Sequence, residues 1–293
     1  MTLKQALAQT RKILVSDNIE DASLESELLL RHTLQIDRVQ LYLDLGRELS
    51  LKQEQTLWRL VARRRRGEPT AYITGHREFY GLDFHVDSTV LIPRPESELL
   101  VEKTLDIAHR QPVTTIAEIG TGCGAIAVSL ARHLPEARIY ATDISPSAIK
   151  TARRNCLKHG VADNIQLLAG DMLDPLPALV DLIIANLPYV EASEIPRTGP
   201  GSFEPALALN GGLAGLEKVL RLCRQVSTRF SPRGCLLLEV GQGQATVVTT
   251  YLRGLFPSAA IAITPDLMGI ERVVSLCLTP DYLDARLVHG IRS

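Results

Sequence analysis

Ile116-Ala117-Glu118-Ile119-Gly120-Thr121-Gly122-Cys123-Gly124-Ala125-Ile126 runs from an apolar strand pattern into a helix start through three alternate glycines. Glycines so spaced permit a tight turn and let backbone amides approach a ligand at a helix N-terminus. The spacing is Gly-x-Gly-x-Gly, not the Gly-x-Gly-x-x-Gly of dinucleotide sites. Outward from this turn, strand and helix patterns alternate: strand 114–119, helix 125–133, strand 138–142, helix 146–159, strand 165–168 and strand 181–185. A Pro/Gly-rich loop to Gly212, a helix over 216–230 and a strand over 235–240 follow. The rhythm predicts an α/β fold, a doubly wound, largely parallel sheet covered on both faces. The last strands, 259–263 and 272–278, are joined too briefly for a helical crossover and are predicted to pair antiparallel.

Residues 1–68 carry only helical spacing, with Leu3, Ala6, Leu7, Ile13 and Leu14, then Leu24, Leu28, Leu29 and Leu34, then Leu57, Trp58, Leu60 and Val61 behind Ser50 as a cap. About four amphipathic helices are expected there, as a small bundle. Ala71–Gly75 and Leu82–Val86 alternate in period two around Gly81, which predicts a β-hairpin linker over 69–92. The sheet domain is expected over 93–293.

The 293 residues are 45% hydrophobic with a formal net charge of −1, from 32 basic and 33 acidic side chains. That balance argues against disorder, and against holding long nucleic acid by phosphate neutralisation. No apolar run approaches the roughly 20 residues of a membrane span, and the first residues lack a signal peptide's apolar core. No membrane association and no stable nucleic-acid binding are expected. Cys123, Cys156, Cys223, Cys235 and Cys277 form no Cys-x-x-Cys pair, so free thiols in a reducing cytoplasm are expected, with neither disulfides nor zinc. The seven histidines show no ligand spacing, and no metal is expected. Arg63-Arg64-Arg65-Arg66 reads as a solvated helix end complementing the helix dipole, and Asp21, Glu25, Glu27 and Asp37 as solvated helix faces.

Asp143, directly after the strand over 138–142, stands where an acid accepts both hydroxyls of a ribose. With Glu118 before it and Asp143 after it, the turn of Gly120, Thr121, Gly122, Cys123 and Gly124 points to an adenosine ligand; alone, the glycines are weak evidence, and a plain βα turn is the alternative. Glu118 can meet an ammonium, which suits the aminoacyl end of S-adenosylmethionine, or can order the turn. Asp171 can accept from an adenine amino group while Met172 packs on its ring, or both can be turn residues.

Asn186-Leu187-Pro188-Tyr189 follows the fourth strand at the carboxyl edge of the sheet, where doubly wound folds bind substrates. An amide NH2 is a poor nucleophile because its lone pair is delocalised. The Asn186 side-chain carbonyl and the Leu187 backbone carbonyl can each accept one of its hydrogens. That would aim the nitrogen lone pair at a methyl donor and offset positive charge as it develops. Pro188 would fix the turn, and Tyr189 would offer a flat wall. The bland alternative is a capped strand end with a turn proline.

With these residues in view, the chain resembles the bacterial release-factor glutamine methyltransferases over nearly its whole length. The resemblance rests on Pro69–Gly75, Glu78–Leu82, Leu91–Glu98, Gly120–Gly124, Asn186–Tyr189, Phe203–Leu207, Gly212 and Gly215-Leu216. It implies a helical substrate-recognition domain, a hairpin linker and a class I methyltransferase domain with a seven-stranded, Rossmann-like sheet. It implies S-adenosylmethionine held by Gly120–Gly124 and Asp143, and the glutamine of a Gly-Gly-Gln motif in class 1 release factors held by Asn186–Tyr189, with Asn186 touching both. Leu187 replaces the usual first proline, Ser97 a usual threonine, and Ala214 a common acid. The rival substrates are adenine in DNA or RNA, which demands a base-reading domain, and a glutamine in a ribosomal protein. A catalytically dead cofactor-binding scaffold is the rival outside enzymes, and the intact Asn186, Pro188 and Tyr189 speak against it.

Overall fold

The computed structural model describes residues 1–279; the last part of the expected sheet domain, 280–293, lies outside the described residues. The described chain divides into two units, Met1–His76 with Pro196–Phe203, and Arg77–Ile195 with the described residues from Glu204.

The first unit holds α1 (Leu3–Ser16), α2 (Ala22–Leu34), α3 (Arg38–Leu43), α4 (Leu51–Arg65) and α5 (Thr70–Thr74). Thr2, Asp37 and Ser50 each begin a helix with a capping box closed by Gln5, Gln40 and Gln53, satisfying amides that a helix start leaves unpaired. Leu3, Leu14, Leu29, Leu30, Leu41 and Leu57 are fully buried at its centre.

Three expectations fail in this unit. Ala71–Gly75 belongs to a helical turn, α5 with Gly75 in left-handed conformation after it, because five residues with apolar positions 71 and 73 fit either period. The arginine run is not simply solvated: Arg63 Nε donates to Glu68 at 2.7 Å, Arg64 Nη2 to Glu25 at 3.2 Å and Arg65 Nε to Asp17 at 2.7 Å. Glu25 also accepts from Thr70 Oγ1 at 2.8 Å, and buried Glu27 accepts from Arg38 at 2.9 Å and from Tyr42. These carboxylates are internal partners of the bundle.

In the second unit, β1 (His76–Phe79) and β2 (Leu82–His85) form a hairpin. Its two loop residues, Tyr80 and Gly81, both have positive φ, as a twisted two-residue hairpin turn requires. Next come α6 (Glu98–Arg110), β3 (Thr115–Ile119), α7 (Ala125–His133), β4 (Arg138–Asp143), α8 (Pro146–Lys158), β5 (Ile165–Ala169) and β6 (Val180–Ala185). The chain continues with α9 (Ala206–Leu209), α10 (Glu217–Gln225), β7 (Phe230–Glu239), α11 (Ala245–Leu255), β8 (Ala260–Pro265) and β9 (Glu271–Cys277). Seven strands make one sheet in the order β5-β4-β3-β6-β7-β9-β8, parallel through β7, with β9 antiparallel to both neighbours. Runs such as Leu182–Ile184 and Cys235–Leu238 are wholly buried, as expected of strands covered on both faces.

The helix expected over 216–230 is shorter: α10 stops at Gln225, and Phe230 already belongs to β7. The free-thiol expectation is corrected at one pair. Cys235 and Cys277 lie opposite each other in the β7–β9 register, with Cα atoms 4.2 Å apart, and are joined by a disulfide. Their separation of 42 residues forms no motif; the sheet register brings them together. Cys123, Cys156 and Cys223 are free and buried. Among the described residues, no helix is long and apolar enough to cross a membrane.

Candidate active site

From β3 the chain turns to β4 on one side, and from β6 it turns to β7 on the other, so a crevice opens beyond the carboxyl ends of β3 and β6. Ile119 pairs with Ala185 at the last rung of that ladder, so Gly120 and Asn186 leave the sheet side by side. A cavity of about 330 Å³ lies there. Its walls include Glu118, Gly120, Thr121, Gly122, Cys123, Asp143, Asp171, Met172, Asn186, Leu187 and Pro188. Of the residues singled out from sequence, Gly124 and Tyr189 are the two that do not line it.

The glycine turn is held from beneath. Glu118, 2% exposed, accepts from Thr121 Oγ1 at 2.6 Å and from the Ala127 amide at 3.1 Å, so its carboxyl orders the turn. Burial pushes this carboxyl up to about 8 against those two hydrogen bonds. Asp143 accepts from the Gly122 amide at 2.9 Å and from the Ser145 amide at 2.8 Å. Burial raises its pKa while these two amides oppose the rise. Gly124 serves packing: with φ +83, a Cβ there would lie 3.2 Å from Ala152 Cβ on α8. Burial pushes the Cys123 thiol up to about 12, so it is no nucleophile near neutral pH.

Asp171 is ion-paired with Arg221 of α10. Met172 has φ +47, is buried in the core, and its carbonyl accepts from Thr142 Oγ1 at 3.0 Å. Both residues are thus fixed by protein partners while still facing the cavity. Arg94 pairs with Glu204, whose other oxygen accepts from the Ile92 amide at 3.1 Å. This ion pair ties the wall containing Leu91 and Pro93 to the wall containing Pro205 and Leu207.

Asn186–Tyr189 is fastened at several points. Asn186 Nδ2 donates to Ser97 Oγ at 2.8 Å, and Ser97 Oγ donates to Glu239 Oε2 at 2.6 Å. Tyr189 Oη donates to the other oxygen of Glu239 at 3.3 Å. The Tyr189 carbonyl accepts from Gln244 Nε2 at 3.1 Å, and the same amide reaches the Ala214 carbonyl at 3.3 Å. Gly215 requires its lack of a side chain: at φ +67, a Cβ would lie 2.0 Å from the Tyr189 carbonyl oxygen. Leu187 is 6% exposed and packs in the sheet core with Ile119 and Ala185. Burial and the Glu239 charge push Tyr189 up to about 12, so its hydroxyl stays a donor.

Glu239 and Gln244 belong to no motif in the sequence, and Ser97 stands out there only as a departure from a family pattern. Glu239 had a signal: an acid ending the apolar run Cys235–Leu238, on the strand next to that of Asn186.

Residues 5–75 match the family model described as PrmC N-terminal domain, and residues 95–198 match Methyltransferase small domain. A release factor glutamine methyltransferase of Moorella thermoacetica is 40% identical over 275 residues, spanning 93% of this chain and 97% of that protein. One of Neisseria gonorrhoeae is 38% identical over 257 residues, spanning 85% of this chain and 91% of that protein. Among solved structures, a methyltransferase from Pyrococcus furiosus matches with TM-score 0.51 and 18% identity over 68% of this chain and 90% of its own, which bears on fold alone. Kinship on this scale, over a sheet whose crevice joins the glycine turn to Asn186, makes the chain a member of the release factor glutamine methyltransferase family, S-adenosylmethionine-dependent enzymes of class I fold.

Proposed function

We propose that the chain methylates the side-chain amide nitrogen of the glutamine in the Gly-Gly-Gln motif of class 1 peptide-chain release factors. What carries this reading is the end-to-end kinship with release factor glutamine methyltransferases. The crevice chemistry supports it. Asp143 spends one lone pair of each carboxylate oxygen on backbone amides and keeps others for two ribose hydroxyls. The Gly120–Gly124 turn, its amides held by Thr142, Asp143 and Thr121, lets a ligand approach bare backbone at the start of α7. When bound, S-adenosylmethionine supplies an electrophilic methyl group on a sulfonium. Asn186 Oδ1 and the Leu187 carbonyl accept the two hydrogens of the glutamine amide, Pro188 keeps that carbonyl turned inward, and Tyr189, off the cavity wall, anchors the loop through Glu239. Glu118, Thr121, Cys123, Asp171 and Met172 complete the cofactor side of the cavity.

Incubating the full chain with a class 1 release factor and methyl-labelled S-adenosylmethionine, then mapping label by mass spectrometry, tests the function. Label on the Gly-Gly-Gln glutamine is expected. Label confined to a ribosomal protein or to adenine would replace the substrate.

Two expectations concern the cofactor. Asp143→Ala is expected to weaken S-adenosylmethionine binding by about 1.5–3 kcal/mol, the scale of a charged acceptor lost to hydroxyl donors; calorimetry showing an unchanged Kd would put the ribose elsewhere. The second is a proton linkage at Glu118, which is largely protonated at pH 7 when its pKa is about 8. A neighbouring ammonium favours the ionised form and lowers that value. Binding then releases a proton, so affinity rises with pH until about 8 and levels above it. Titrations at pH 7 in two buffers of different ionisation heat should give different apparent enthalpies. Equal enthalpies would mean that Glu118 only orders the turn.

A further inference from the structure

Beneath Asn186 lies a chain of hydrogen bonds with a direction. Ala185 pairs with Leu238 at the end of the β6–β7 ladder, so Asn186, just past β6, neighbours Glu239, the last residue of β7. Ser97, 3% exposed and closing the 3-10 turn Pro95–Ser97 ahead of α6, stands between their side chains. An ionised carboxylate can only accept. Glu239, 1% exposed, takes the hydroxyl protons of both Ser97 and Tyr189; burial raises its pKa, while the Ser97 bond and the positive charge of Arg272 oppose the rise. A serine hydroxyl has one proton, so once Ser97 donates it to Glu239, Ser97 can only accept from Asn186. The Asn186 NH2 must therefore face Ser97, and the carbonyl half of that amide is turned away from Ser97, available to the cavity.

We propose that Glu239 is a positioning residue for methyl transfer: acting through Ser97, it sets which half of the Asn186 side-chain amide meets the substrate NH2. This rests on the function proposed above, in which Asn186 Oδ1 accepts from the glutamine amide. An asparagine amide is nearly symmetric in shape, so packing alone discriminates poorly between its two orientations. The flipped form would set an NH2 donor against the NH2 of the substrate. A carboxylate two bonds away removes that ambiguity without touching either reactant. It also draws Tyr189, at the far end of the same loop, into one network.

The test uses the full chain with release factor and S-adenosylmethionine, alongside Asn186→Ala. Glu239→Leu removes the acceptor, freeing Ser97 to donate towards Asn186; kcat is expected to fall about tenfold or more, the rate equivalent of one hydrogen bond. Glu239→Gln keeps an oxygen in place and is expected to recover most of the rate. Ser97→Ala, which keeps the buried acid but removes its Ser97 donor, should lose as much as Glu239→Leu, and Ser97→Thr, which retains the hydroxyl, should restore activity. KM for both substrates should stay near native. The distinguishing measurement is the double variant, since residues acting through one another are not additive. In an Asn186→Ala background, Glu239→Leu should cost nothing further. Additive losses, or native kcat in both Glu239→Leu and Ser97→Ala beside an impaired Asn186→Ala, overturn the positioning role and leave the proposed function standing. A fully active Asn186→Ala overturns the reading beneath it.

Discussion

Asn186→Ala is expected to cut kcat by on the order of a hundredfold or more, the scale for removing one preorganised polar group beside developing charge. The rate should fall far more than stability does. The side chain is half-buried and, among the described residues, bonded through Nδ2 to Ser97, while its backbone leaves β6 at a fixed rung. Thermal melts beside single-turnover rates separate the two effects. A folded variant with the native rate would remove the central residue of the mechanism, and a rate that falls only with the folded fraction would make Asn186 a strand-end cap. Asn186→Asp sharpens the contrast. A carboxylate still accepts from the substrate NH2, which from sequence alone would preserve part of the rate. In the structure, however, two carboxylates would then compete for the single Ser97 proton, with Glu239 buried next to the new charge. Only a small residue of activity is expected to survive, rising as pH falls and one carboxyl takes up a proton.

Deleting residues 1–68 is expected to abolish methylation of intact release factor, a loss of more than about a hundredfold, because a misplaced substrate forfeits the advantage of orientation. Cofactor affinity should change little, since every wall of the cavity belongs to the second unit. Calorimetry with S-adenosylmethionine and a rate assay with release factor read the two halves of this expectation. A truncated chain as active as the native one would take the recognition role away from the helices. The truncation also leaves Pro196–Phe203 without most of its unit; there, the position of a Gly67 Cβ lies 3.4 Å from the Gly199 backbone.

What sequence made legible was whatever declares itself locally. The Gly120–Gly124 turn, Asp143 at a strand end and Asn186–Tyr189 each combine residue type with position along a βα rhythm, and the crevice gathers all of them except Gly124 and Tyr189 on its walls. Of the helices that sequence did not reveal, two escaped for opposite reasons. Residues 245–255 read Ala-Thr-Val-Val-Thr-Thr-Tyr-Leu-Arg-Gly-Leu, whose β-branched run disfavours helix, yet α11 forms by burying Ala245, Val248, Thr249 and Leu252 on one face. Residues 70–74 are too few to reveal their period, and α5 resulted where a strand was expected. The carboxylates were misjudged for a third reason. Glu25 and Glu27 look like surface residues one at a time, and only tertiary structure brings Arg64 and Arg38 to them, as it brings Ser97 to Glu239. The same holds for the Cys235–Cys277 bond, which register creates and spacing conceals.

The place of β9 in the sheet bears on how the molecule is made. It is the last described strand in the chain, yet it lies inside the sheet, hydrogen-bonded to β7 on one side and β8 on the other. Its neighbours are therefore synthesised first and wait for it. Until Glu271–Cys277 has left the ribosome, the far edge of β7 has no native strand to pair with, and β8 has none on either side. The edge left open carries Leu236, Leu237 and Leu238, a stretch suited to pairing with the wrong chain. Closure of the sheet is thus a late step of biosynthesis, and a nascent chain stopped before residue 271 keeps its crevice-bearing strands but has a sticky flank.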